Sequence, residues 1–86
     1  MGDFKRQTIL EDGFNDMWGI KPIISYLRIS NNEYKIKLAT NEKVIVLTEI
    51  MERGLTKSVT LENNGKLTPF KSMYEAEKEA TNILRN

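Results

Sequence analysis

The sequence predicts an α+β domain: a four- to five-stranded antiparallel meander with a C-terminal helix packed on one face. Three observations carry that expectation. Stretches of alternating or β-branched residues fill the middle of the chain, from Ile23 to Phe70. Turn-forming pairs and triplets separate them, at Asn31-Asn32, Asn41-Glu42, Arg53-Gly54 and Asn63-Asn64-Gly65. An amphipathic segment opened by a capping box follows the last of these stretches. Eighty-six residues are enough for one domain, read here as spanning 1–86.

The elements are justified in order. Residues 1–7 read as a flexible lead-in. Thr8-Ile9-Leu10-Glu11 has the capping-box pattern, and Leu10, Phe14 and Met17 follow at helical spacing. A short N-terminal helix over 9–18 is expected, weakened by Gly13 and ended by Gly19 and Pro22. Strands follow over 23–30, 34–40 and 43–51. The run Val44-Ile45-Val46-Leu47 makes the third the central strand. A Thr- and Val-rich fourth strand spans 55–62. A three-residue loop, Asn63-Asn64-Gly65, leads to a short fifth strand over 66–70, which Pro69 confines to an edge. In the closing helix Ser72-Met73-Tyr74-Glu75 is a capping box, and Met73, Ala76, Ala80, Ile83 and Leu84 form an apolar stripe.

Turn lengths predict the register. A two-residue turn at Asn41-Glu42 pairs Tyr34 with Glu49, Ile36 with Leu47 and Leu38 with Ile45. A two-residue turn at Asn31-Asn32 pairs Ile29 with Tyr34, Leu27 with Ile36 and Ser25 with Leu38. Side chains alternate across a strand. One face then carries Leu27, Ile29, Tyr34, Ile36, Leu38, Ile45 and Leu47, beneath the C-terminal helix. The other carries Ile24, Tyr26, Arg28, Lys35, Lys37, Val44, Val46 and Thr48. Arg28 lies opposite Lys35, and Tyr26 opposite Lys37. Like charges directly opposite are mildly destabilising, so an anion between them is a natural reading. The blander reading is a solvated face, with Val44 and Val46 covered by the N-terminal segment.

Composition excludes much chemistry. There is no Cys and no His, which removes disulfides, thiolate zinc sites and Cys or His nucleophiles. Asp12 and Asp16 lie four apart with no third ligand in view, and Glu75, Glu77 and Glu79 do not converge; no metal or cofactor is expected. Ser25, Ser30 and Ser58 have no base beside them, and Gly65-Lys66 lacks the upstream glycine of a phosphate loop. The expectation is a non-enzyme. No apolar run reaches the ~20 residues of a membrane span. The N-terminal residues lack the apolar core of a signal peptide, and Arg6 stands where a myristoylation motif wants Ser or Thr. A cytoplasmic chain, monomeric or homodimeric, is expected.

Thirteen Lys and Arg face twelve Asp and Glu, a net charge of +1, with the basic excess in residues 21–48. Lys, Asn and Ile supply 26 residues, a bias typical of AT-rich genomes, including phages and mobile elements. Two functions from different classes follow. The first is a protein-partner modulator or inhibitor of phage or mobile-element type, docking on a host or cognate protein. Phe14, Met17 and Trp18 are its candidate anchor, since Trp is favoured at interface hot spots. The alternative is a nucleic-acid-binding module for DNA or RNA, with Tyr26, Arg28, Lys35 and Lys37 on a basic open face. The strands followed by Phe70-Lys71-Ser72 and Glu75-Ala76-Glu77 resemble the AP2-like and integrase arm-binding domains over residues 34–84. That resemblance implies a three-stranded sheet that reads DNA, backed by a helix. The extra strand and the near-neutral charge depart from it.

Overall fold

The structure is a computed structural model and describes residues 2–85, with side chains from Arg6 onward. Helix α1 spans Gly2–Gly13 and runs into a five-residue π-helical turn, Phe14–Trp18. Five strands follow: β1 (Ile23–Arg28), β2 (Glu33–Ala39), β3 (Val44–Glu52), β4 (Leu55–Asn63) and β5 (Lys66–Phe70). Helix α2, Met73–Arg85, follows them. The sheet is antiparallel throughout in the order β1-β2-β3-β4-β5, so β3 is central and β1 and β5 are the edges. This is the predicted α+β meander.

Tight turns join the later strands. Arg53-Gly54 and Asn64-Gly65 each place two successive residues at positive φ, 56° and 78° in the first, 53° and 83° in the second. Two positive φ values are what a type I′ hairpin requires, and glycine adopts the second without steric cost. Asn63 pairs with Lys66, so the last loop has two residues rather than the expected three. One extra residue, Lys57, bulges β4 between the Ile50–Ser58 and Met51–Thr56 pairs.

The β2–β3 register is the predicted one: Tyr34 faces Glu49, Ile36 faces Leu47 and Leu38 faces Ile45. The β1–β2 register is not. Ile24 faces Leu38, Tyr26 faces Ile36 and Arg28 faces Tyr34. The Ile29 N–H donates to the Glu33 carbonyl at 2.9 Å, closing a three-residue loop over Ser30-Asn31-Asn32. One added loop residue turns every β1 side chain to the opposite face. Leu27 and Ile29, expected in the core, are 60% and 47% exposed.

Helix α1 also differs from expectation. It starts at Gly2, through most of the segment read as a lead-in, and continues in a π turn where an α-helix was expected. Both helices pack on the same face of the sheet. Between them and the strands lie Leu10, Phe14, Ile24, Ile36, Leu38, Ile45, Leu47, Val59 and Leu61. Ala76 and Ala80 point α2 at the sheet with no bulk to hold it away. The far end is tied by Lys43 Nζ, which donates to the Ile83 carbonyl at 2.7 Å, and by Arg85, whose guanidinium donates to the Trp18 carbonyl. Cations at a helix C-terminus satisfy its free carbonyls and complement its dipole.

At the other end of α2 the predicted cap is formed: the Glu75 N–H donates to Ser72 Oγ at 3.2 Å. Ser72→Ala is expected to lower stability by about 1 kcal/mol in urea melts, and Ser72→Asp to retain most of it.

Candidate functional site

The two faces of the sheet offer different chemistry. Under the helices sits a polar cluster built around Glu49, which is fully buried in the middle of β3. Strand alternation sends it to the same side as Ile45 and Leu47. Arg6 reaches it from α1, one guanidinium nitrogen lying 3.0 Å from each carboxylate oxygen. Thr56 Oγ1 donates to the same carboxylate at 2.7 Å, across the β4 bulge. The Arg6 guanidinium also lies 5.8 Å from the centre of the Tyr26 ring, and Tyr26 stacks on Tyr34 at 5.4 Å. A second carboxylate, Glu77, comes down from α2 and accepts from the Trp18 indole N–H at 3.3 Å. Burial pushes the Glu77 pKa up, and the Glu49 charge adds to the rise. The Trp18 hydrogen bond and the Arg6 charge oppose it. The cluster therefore joins α1, the π turn, the sheet and α2. Each of its members is engaged with another, which is the arrangement of a fastening.

The opposite face has no helix over it. Pairing sets its side chains in rows across the strands. Ile23, Ala39 and Val44 form one apolar row. Ser25, Lys37, Val46, Glu62 and Leu67 form the next, and Leu27, Lys35, Thr48, Thr60 and Pro69 the third. Glu33, Ile50 and Ser58 close the array. Ile23, Leu27 and Leu67 are more than half exposed, and Val44 is about half exposed. Lys35 and Lys37 share the face with Glu33 and Glu62, so its charge cancels. No ion pair involves either lysine among the described residues.

The predicted basic face therefore divides. Lys35 and Lys37 lie on the open side, as expected. Tyr26 and Arg28 lie on the other, Tyr26 beneath Arg6, and Arg28 bound to Asn31 Oδ1 at 2.7 Å and to the Ser30 carbonyl. The flip of β1 removes the Arg28–Lys35 and Tyr26–Lys37 oppositions on which an anion site rested. The predicted anchor trio also separates. Phe14 is fully buried, Trp18 is half-buried with its ring 5.4 Å from Tyr74, and Met17 alone is exposed. Val44 and Val46 are not covered by the N-terminal segment, which packs against the opposite side.

The sequence pattern sets Glu77 only among three glutamates on a solvated helix face, whereas it is partly buried against Trp18. It gives Arg6, Glu49 and Thr56 no site role. One signal was available for Glu49: the register that correctly paired it with Tyr34 also placed it inward. Among the described residues no group of three or more acidic side chains converges as a metal site, and no helix is long and apolar enough to cross a membrane. No family model, curated protein or solved structure matches the chain.

Arg6→Ala leaves the Glu49 carboxylate buried without its cation and is expected to destabilise by about 3 kcal/mol in urea melts. Adding Glu49→Gln should recover part of that loss, because it removes the stranded charge and keeps an acceptor for Thr56. Glu77 predicts a pH dependence of opposite sign to that of a salt-bridged acid. It holds its proton more tightly folded than unfolded. Its contribution to stability is therefore greatest at acid pH and is lost as pH rises through the raised folded value. Glu77→Gln keeps an acceptor for Trp18. It should be more stable than the parent at neutral pH, with the difference closing below about pH 4 in paired melts.

Proposed function

We propose that this chain is a non-enzymatic docking protein that modulates or inhibits a protein partner through the open face of its sheet. The observation that carries the reading is the contiguous apolar row Ile23–Ala39–Val44, continued along β3 by Val46, which Lys37 and Glu62 flank with opposite charges. An apolar centre with a mixed polar rim suits a folded protein surface. It suits phosphate less well: two glutamates on the face offset its two lysines, and nucleic-acid binding rests largely on unopposed positive charge. The stacking aromatic and the arginine expected to complete a nucleic-acid site point the other way. The partner favoured by this chemistry presents an apolar patch with charges of both signs around it.

The test compares the parent and Val44→Lys as baits in nuclease-treated lysate, read by quantitative mass spectrometry, with circular dichroism confirming that both fold. A protein held by the parent at moderate salt and lost with Val44→Lys supports the reading. Equal recovery by both baits would overturn it. A nucleic-acid function would instead show as oligonucleotide binding that weakens steeply with salt and vanishes in Lys35→Glu/Lys37→Glu.

A further inference from the structure

We infer that the chain self-associates through the outer edge of β1, which pairs antiparallel with β1 of a second copy. The two edges of the sheet are treated differently. The β5 edge is five residues long and carries Pro69 and Lys66, both of which discourage strand addition. The β1 edge, Ile-Ile-Ser-Tyr-Leu-Arg, has no proline, no bulge and no charge before its last residue. Its Ile23 and Leu27 are 71% and 60% exposed on the open face. Unprotected edges of this kind are templates for another strand.

The sequence of the edge is self-complementary. A two-fold axis through Ser25 sets Ile23 of each copy opposite Leu27 of the other, and sets small Ser25 against itself. The same axis brings Arg28 opposite Pro22. Beside Pro22 lies a cleft of about 340 Å³ lined by Glu11, Asp12, Asn15 and Lys21. Arg28 and α1 lie on the same side of the sheet, so each copy's Arg28 arrives at the other's Glu11 and Asp12, which outnumber Lys21. Among the described residues Arg28 bonds to its own loop, to Asn31 and Ser30, where it is exposed and able to turn outward. Apolar pairing at the centre and charge pairing at both ends occur in one register, which favours a second copy over an unrelated strand. A dimer of this form merges two open faces into a ten-stranded floor.

A six-residue strand pair is smaller than the ~800 Å² per partner of a standard stable interface, so weak, concentration-dependent association is expected. Sedimentation equilibrium of the full chain from about 10 μM to about 1 mM covers that regime. A dimer fraction that rises over the range is expected. Leu27→Lys should weaken it at least tenfold. Arg28→Glu should weaken it several-fold, and Glu11→Lys with Asp12→Lys in the same chain should restore it. Val44→Lys, two strands inside the edge, should leave it unchanged, which separates this inference from docking of another protein on the open face. A monomer at every concentration would overturn the inference, as would association that Leu27→Lys or Arg28→Glu leaves intact.

Discussion

A carboxylate with no exposure in the middle of the central strand constrains the rest of this fold. Glu49 cannot remain charged in an apolar core without a cation and hydrogen bonds. Thr56 supplies one hydrogen bond from the neighbouring strand, but the cation comes from Arg6, on the first helix. Helix α1 must therefore lie on the same side of the sheet as α2. With both helices on one side, nothing described in this chain covers the other. The open face follows from where one charge was placed.

That constraint also accounts for a helix that sequence pattern describes poorly. The apolar residues of α1 do not form a stripe: Leu10 is buried, while Ile9, next to it, is 57% exposed. Helices in proteins usually owe their stability to an amphipathic face. This one is held by Leu10, by Arg6, and by continuation into the π turn whose Phe14 is locked in the core. Periodicity therefore located only its second half. The closing helix is the contrary case. Cap, stripe and terminal charges agree there, and sequence and structure coincide almost residue for residue.

The strands show the same contrast. In β2 and β3 only one parity is apolar enough to face the core, and the register could be read. In β1 both parities are apolar: Ile23 and Leu27 on one, with Ile29 just beyond the strand, and Ile24 and Tyr26 on the other. Its register then depended on loop length alone. Asn31-Asn32 has the composition of a two-residue turn, but Ser30 joins the loop, its hydroxyl 2.9 Å from Asn32 Oδ1, and the Met51 N–H donates to the Asn32 carbonyl at 2.7 Å. The second contact comes from β3, out of reach of any local rule. One misplaced residue there dispersed the predicted basic site, while the two lysines on the unambiguous strand stayed where they were expected.

The same ambiguity has a physical consequence in the folded chain. A strand apolar on both parities buries one set and must expose the other. Here the buried set, Ile24 and Tyr26, meets α1 and its arginine, and the exposed set, Ile23 and Leu27, faces water at the least protected edge of the sheet. Exposed apolar side chains scattered singly need no explanation. These are not scattered, since Ile23 continues through Ala39 to Val44 across three strands. A lysine at either position would add solubility. Isoleucine and leucine there instead present apolar area that leaves water when another chain covers it.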